Sequence, residues 1–191
     1  MNSKKMSYLI IMLTPLAPIT KFLTTSIIAP HGITDLVHAE ENNNIPTLLN
    51  TYICTNTFVF FLNNIQQENL INILLFIGSV IHFRRDIPIK NIINKSVFTS
   101  LMLLYFIFFD ENSIYFYLTL IHVPNHYALN WSYLKKNKLL TGLVLSLTTL
   151  VSIYFGNKYY DSYSDPFIFD MIKGVILSHI MYEEMYIYKK T

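Results

Sequence analysis

Long apolar runs separated by short polar stretches dominate this chain and predict helices that cross a membrane. Each run is close to or slightly under the roughly 20 residues that a helix needs to cross a bilayer. Two runs, 70–83 and 97–109, are short, so five, six or seven crossings fit the pattern. The runs are 6–28, 46–62, 70–83, 97–109, 114–131, 139–155 and 167–188. We therefore expect an all-α protein, a polytopic membrane bundle of about 6–7 transmembrane helices in which residues 1–191 form a single integral membrane domain.

The first run, 6–28, is less regular than the others because two prolines and Lys21 interrupt it. Lysines precede its apolar core, as they do in a secretory signal peptide. No small-residue cleavage site closes that core, since Lys21 and Phe22 stand where one is needed. We expect a retained, irregular first helix.

Composition agrees with the membrane class. The chain is 52% hydrophobic and 14% charged, whereas a soluble domain usually carries about 25% charged residues. Its net charge of +2 is too small to indicate nucleic-acid binding, and we expect no nucleic-acid partner. One cysteine, Cys54, excludes an internal disulfide and a cysteine-based zinc or iron–sulfur site.

Basic residues cluster in three regions that share one side of a seven-helix bundle. The positive-inside rule makes that side, and with it the C-terminus, cytoplasmic. In this arrangement all the histidines fall toward the cytoplasmic half of the bilayer. The basic clusters lie within residues 84–95, 135–138 and 189–190. The histidines are His31, His38, His82, His122, His126 and His179.

The spacing His122-x-x-x-His126 is the strongest local signal. It places both imidazoles on one helix face, where two rings on successive turns can bind one metal ion. Pro124 between them removes a helical hydrogen bond and bends the helix. Chance pairing of two histidines at this spacing is the alternative.

Carboxylates and single histidines leave alternatives open. Asp35 stands one turn after His31, where it can accept the ring N–H of a ligating histidine or simply favour a helix start through the helix dipole. His82 and His179 have two possible positions. Each can belong to a buried functional site, since ionisable residues within membranes usually do, or can lie at the membrane interface near the headgroups.

Four histidine-centred segments together resemble the Brp/Blh family of membrane β-carotene 15,15′-dioxygenases. APHGITDLVH is similar to the family's PHG-x-x-D element, and SVIHFRRD to its S-x-x-HF segment. YLTLIHVPNHY is similar to its paired-histidine helix, and LSHIMYEE to its final histidine-containing helix. The segments occur in family order and span residues 29–184.

The resemblance implies a multi-helix membrane enzyme that uses Fe(2+) and dioxygen to split a carotenoid, β-carotene, centrally into two molecules of retinal. It implies an iron held by four histidines, with other polar residues in supporting or pocket positions. The implied partners are an apolar polyene substrate, dioxygen and the lipid bilayer. The implied ligands are His31, His82, His122 and His126, and the supporting residues are Asp35, His38 and His179.

Other functions use the same residues. A non-catalytic membrane metal-binding or transport protein is the main alternative, although carboxylates within the apolar runs are few for a transporter. Lys173 in the last run suggests a retinal-binding photoreceptor, but the spacing from Asp170 is one residue short of the rhodopsin pattern. Desaturases and hydroxylases of the histidine-box type need more than six histidines to hold two irons.

Overall fold

The computed structural model describes residues 24–136, 138–159 and 166–188. Within these ranges the chain is all-α and contains no strand, which confirms the all-α part of the expected fold class. Residues 1–23 lie outside the described part of the chain, and so does most of the expected irregular first helix. The basic residues 189–190 lie outside it too.

Seven helices of at least two turns run through the described residues. They are α1 Thr34–Glu41, α2 Ile45–Asn64, α3 Glu68–Phe83, α4 Ile92–Phe108, α5, α6 Lys138–Tyr159 and α7 Pro166–Tyr182. Helix α5 is continuous but has three parts, Glu111–Tyr117, a π-helical turn Leu118–His122, and Val123–Leu134. Shorter turns are Thr24–Ile28 (π), Ala29–His31, Arg84–Asp86 (3-10) and Glu183–Ile187 (π).

Local sequence signals explain where several helices begin and end. Asn91 caps α4, because its side chain accepts hydrogen bonds from the backbone N–H groups of Ile93 (2.9 Å) and Asn94 (3.1 Å). Pro46 stands in the first turn of α2, where its missing N–H is not needed. Asn43 and Gln66, with positive φ angles of 52° and 58°, reverse the chain between successive helices.

Helix α7 lies against α2 and α3 and forms the centre of the bundle. The contact between α7 and α2 includes a polar pair, since Asn56 Nδ2 donates to Ser178 Oγ at 3.0 Å. Where α7 faces α3 the contact is apolar, and Val59, Ile71 and Leu177 pack together there. Helix α1 packs on α2 and on the second half of α5. This arrangement brings the ends of α3 and α7 that carry His82 and His179 next to the middle of α5.

Gly174 allows the close approach of α7 to α2. A Cβ atom added there overlaps Oδ1 of Asn56 and lies 3.0 Å from its Cγ. We expect Gly174→Ala to destabilise the protein by about 1–3 kcal/mol, as overpacking usually does. Gly142→Ala in α6 is the matched control, because nothing lies within 4 Å of a Cβ added there. Thermal unfolding of both variants in detergent checks this, and equal midpoints would contradict it.

Many large apolar side chains point away from the bundle. Phe109 is 81% exposed and Leu139 is 76% exposed, and similar side chains line the outer faces of α2, α4 and α6. Among the described residues, one helix, α2, is long and apolar enough to cross a membrane by length and composition. Helix α4 and residues Lys138–Tyr154 of α6 are apolar but shorter than that measure requires. The expected 6–7 transmembrane helices therefore stay a prediction.

Candidate metal centre

Five of the six histidine rings meet at one end of the bundle. They come from the turn before α1, from the end of α3, from α5 and from α7. Neighbouring ring centroids are 4.8–5.7 Å apart for most contacting pairs, and 6.1 Å apart for His122 and His126. The five are His31, His82, His122, His126 and His179, and all are buried.

Turns of π-helix adjoin three of the histidine segments. Thr24–Ile28 precedes His31, Leu118–His122 ends at His122, and Glu183–Ile187 follows α7 directly. In α5 the sequence explains the π-helical turn, because Pro124 has no N–H and its ring would clash with the carbonyl one turn earlier in a regular α-helix. A wider turn just before it accommodates the ring. Such turns often occur at functional sites.

Four of the five rings are held from outside the cluster through Nδ1. His122 Nδ1 donates to Asp86 Oδ2 and His179 Nδ1 to Asp35 Oδ2, each at 2.9 Å. His126 Nδ1 lies 3.4 Å from Thr34 Oγ1, and His31 Nδ1 contacts the carbonyl of Ile28. Metal-binding histidines commonly donate their second ring N–H in this way, which fixes the tautomer and leaves Nε2 as the ligand atom.

His82 is held differently. Arg85 Nη2 lies 2.9 Å from His82 Nδ1, and the guanidinium also pairs with Glu184 and stacks on the Tyr188 ring. The Nε2 atoms of His82 and His122 face each other at 3.3 Å. A separation of this size also suits two nitrogens bound to one ion, given metal–nitrogen distances of about 2.1 Å.

Glu183 completes a group that can hold a metal ion. Ligand atoms of His82, His179 and Glu183 all lie within 4.8 Å of one another, and the three residues are buried. Glu183 Oε2 lies 3.4 Å from His82 Nδ1 and 3.9 Å from His179 Nε2, while Oε1 contacts His126 Nε2. Two imidazoles and one carboxylate form a donor set that divalent transition metals accept.

Unpartnered atoms inside the cluster fit a bound cation. His31 Nε2, His179 Nε2 and Glu183 Oε2 are buried and have no hydrogen-bond partner among the described residues. Buried polar atoms are rarely left without a partner, and an ion is one of the usual reasons. The residues present therefore suit a metal ion chemically and geometrically.

Asp86 supports His122 from the 3-10 turn after α3. Its carboxylate accepts hydrogen bonds from His122, from the Tyr117 hydroxyl at 2.8 Å and from Asn125 at 3.3 Å. Burial alone would raise the pKa of Asp86, but these hydrogen bonds outweigh it and hold the pKa below its ordinary value. The group is therefore an anion that orients the His122 ring.

We expect Asp86→Ala to weaken metal binding about 10- to 100-fold, the usual effect of losing a partner of a ligating histidine. Competition with a chelator of known affinity measures this in purified protein. Asp110→Ala is a matched control, since Asp110 caps the start of α5 and contacts none of the five rings. Equal affinities for Asp86→Ala and the unaltered protein would contradict the assigned role.

The structure places the expected site residues as follows. His31, His82, His122 and His126 lie together. Asp35 accepts a hydrogen bond from the His179 ring, which agrees with the first of the two roles expected for it, a partner of a ring N–H. His179, which the resemblance places in a supporting position, belongs instead to the group that can hold a metal. His38 lies apart, with its ring 4.7 Å from that of Tyr133 and its Nδ1 3.4 Å from the Tyr182 hydroxyl.

Glu183 and Asp86 are site residues that the sequence patterns do not single out. Each stands four residues after a buried histidine, Glu183 after His179 and Asp86 after His82. A carboxylate at that spacing in a helix lies one turn beyond the ring. Asp86 lies in the 3-10 turn after α3, and its side chain contacts His122 of α5. The spacing from His82 therefore does not reveal its partner.

A small cavity opens beside the centre. Its empty volume of about 190 Å³ includes space that is open to solvent. Histidines and carboxylates of the cluster form its floor, and Leu129, Arg85 and Tyr188 line it further. The lining residues are His82, Arg85, Asp86, His122, His126, Leu129, Glu183 and Tyr188.

Comparisons of the chain with known protein families, with curated proteins and with solved structures find no match.

Proposed function

We propose that this chain is a membrane non-haem iron dioxygenase that cleaves a carotenoid. The observation that carries the proposal is the buried group of His82, His179 and Glu183. Two histidines and one carboxylate with open coordination positions are the donor set of non-haem Fe(II) oxygenases. The resemblance of four histidine-centred segments to carotenoid dioxygenases supplies the substrate class.

The charges of the site also favour a cation. Asp35, Asp86 and Glu183 are carboxylates within or directly beside the ring cluster, and Glu184 adds a fourth at its edge. Arg85 is the one guanidinium that contacts them among the described residues, and it pairs with Glu184. Buried carboxylates are stable only when they are paired or bind a metal. A divalent ion between the rings would add positive charge beside these carboxylates.

A membrane setting is supported by the outer surface. Many large apolar side chains are exposed on it, such as Phe109, Leu139 and Leu150, and large exposed apolar patches mark membrane or partner contacts. Helices α3, α4 and α7 have 16, 17 and 17 residues. They rise about 1.5 Å per residue and so fall a little short of a hydrocarbon layer of about 30 Å. We propose that they cross it with flanking residues completing the span.

In the proposed reaction one dioxygen molecule cleaves the central carbon–carbon double bond of β-carotene. The double bond and the O–O bond break, and two C=O bonds form, one oxygen atom going to each aldehyde. Atoms and electrons balance without an external reductant. Iron(II), when bound, supplies the redox chemistry for this step.

The chain's own residues bind the ion, orient its ligands and limit water. Asp35 and Asp86 hold the rings of His179 and His122 so that Nε2 faces the centre. The space beside the centre is small and partly open to the surface. Dioxygen would fit inside it, whereas the polyene would have to approach from its open side.

Expression in a bacterial strain that makes β-carotene tests this function. We expect loss of colour and formation of retinal with the unaltered chain, and retained colour with His179→Ala. His38→Ala is the matched control, since it also removes a buried histidine but one outside the cluster. Unchanged pigment with folded, iron-loaded protein would contradict carotenoid cleavage.

The small cavity favours a second candidate, a non-catalytic membrane protein that binds metal with the same residues. Such a protein needs the buried donors but no space for a polyene. It would bind iron or zinc in purified form and leave β-carotene intact. The pigment experiment combined with metal analysis separates the two functions.

A further inference from the structure

Asp35 accepts two hydrogen bonds on one carboxylate oxygen, and the donors come from different helices. The Tyr52 hydroxyl of α2 and Nδ1 of His179 in α7 both donate to Asp35 Oδ2, each at 2.9 Å. Asp35 is 1% exposed, and its other oxygen, Oδ1, has no hydrogen-bond partner among the described residues. Tyr52 is therefore one of two groups that hold this carboxylate, and the carboxylate in turn holds the His179 ring.

Asp86 repeats this arrangement at another ring of the cluster. Its Oδ2 accepts from the Tyr117 hydroxyl at 2.8 Å and from Nδ1 of His122 at 2.9 Å, and both donors lie in α5. Its Oδ1 accepts from Asn125 at 3.3 Å. A tyrosine hydroxyl and a ring N–H thus share one carboxylate oxygen at two separate places beside the metal centre.

The hydroxyls have a physical reason to be there. A buried carboxylate needs hydrogen-bond donors to remain charged, and a hydrogen bond to a charged oxygen is stronger than one between neutral groups. With the hydroxyl in place, the carboxylate is held from two directions and fixes the ring that donates to it. Without the Tyr52 hydroxyl, Asp35 would be held by the His179 ring alone, and neither side chain would keep a fixed direction.

Helix α2 is anchored to α7 close to Tyr52. Asn56, one turn further along α2, donates through Nδ2 to the Tyr52 carbonyl (2.8 Å) and to Ser178 Oγ (3.0 Å). Ser178 directly precedes His179 in α7. This network fixes α2 against the turn of α7 that carries the ring, so the Tyr52 hydroxyl reaches Asp35 from a rigid part of the fold.

We propose that Tyr52 and Tyr117 are positioning residues of the metal centre. Each acts through an aspartate, because the hydroxyl orients the carboxylate and the carboxylate orients a ring whose Nε2 faces the centre. Tyr52 has the larger effect, since Asp35 has two hydrogen-bond donors among the described residues and Asp86 has three. This inference rests on the metal centre of the proposed function and adds residues of α2 and α5 that direct its rings.

Titration of the purified full-length chain with iron(II) in detergent, against a chelator of known affinity, tests the proposal. Losing a direct partner of a ligating histidine weakens binding about 10- to 100-fold, and the hydroxyls act one step further out, so we expect about 3- to 10-fold from Tyr52→Phe. Tyr117→Phe should lose less. Tyr182→Phe is the matched control and should keep full affinity. Tyr182 is buried in the packing cluster that Tyr52 adjoins, but its hydroxyl lies 3.4 Å from His38, outside the centre.

A double-mutant cycle shows whether Tyr52 acts through Asp35. Asp35→Ala removes the link between the hydroxyl and the ring, so adding Tyr52→Phe to it should cost no further affinity. The proteins are also loaded with cobalt(II), whose visible absorption reports the arrangement of its ligands. We expect a shifted spectrum in Tyr52→Phe and an unshifted one in Tyr182→Phe. A role in packing alone would lower the unfolding temperature but would leave the spectrum unchanged.

The possible results separate this inference from the proposed function. Unchanged iron affinity and cobalt spectrum in Tyr52→Phe overturn the inference, and so does an equal loss of affinity in Tyr182→Phe. A further loss when Tyr52→Phe is added to Asp35→Ala also overturns it. If Asp35→Ala does not fold, the comparison of Tyr52→Phe with Tyr182→Phe decides.

Two other results concern the proposed function. Folded, unaltered protein that binds neither iron nor cobalt overturns both the inference and the function. Tight binding with the expected losses in the tyrosine variants, but without cleavage of β-carotene, overturns the function alone.

Discussion

Glu183→Ala is expected to weaken iron binding more than about 100-fold, beyond the 10- to 100-fold typical of losing an outer partner of a ligand. The variant removes a carboxylate that contacts three of the clustered histidines. It also leaves buried rings without the anion that faces them. The measurement is iron content after dialysis against a chelator of known affinity.

The neighbouring residue provides a close control for that variant. Glu184 carries the same side chain, but it is partly exposed and pairs with Arg85 at the edge of the cluster. Glu184→Ala should therefore keep most of its iron. Equal loss of iron in both variants would mean that negative charge near the cluster, and not the position of Glu183, governs binding.

Metal removal is expected to lower the stability of the folded chain. A ligand at about 1,000 times its Kd stabilises the state that binds it by about 4.1 kcal/mol. Because the donors are buried and come from the turn before α1 and from α3, α5 and α7, the site forms only when these elements are assembled. The apo protein should therefore unfold at a lower temperature than the iron-loaded protein, as followed by thermal unfolding in detergent.

A variant that cannot bind metal identifies the source of that stabilisation. Added iron should raise the unfolding midpoint of the unaltered chain and of His38→Ala, but not that of His179→Ala. A similar rise in all three proteins would show that iron acts elsewhere on the molecule. No rise in any of them would contradict a site formed by several helices.

The positions of the long helices follow from the sequence, because apolar runs are a strong and local signal. The runs 46–62 and 70–83 correspond to α2 and α3, and 139–155 falls within α6. Helix α1 lies outside the apolar runs, and the sequence indicates only a helix start near Asp35, since its buried face carries Asp35 and His38 beside Val37 and Ala39. Its burial depends on partners distant in the chain, such as His179 and Tyr182.

The convergence of the histidines could be inferred from helix direction and charge, and from the resemblance, but their individual roles could not. His122 and His126 share a face through local spacing, which the sequence displays. The contact between Glu183 and His126 joins residues 57 positions apart and depends on how α5 and α7 pack. A single sequence carries no signal for such a pairing.

The number of iron ions that the purified, folded chain retains tests the central claim most directly. A buried centre of histidines and Glu183 predicts at least one tightly bound iron per chain, lost in His179→Ala and kept in His38→Ala. Folded protein that retains no iron after anaerobic loading, or His179→Ala protein that retains as much as the unaltered chain, would contradict it.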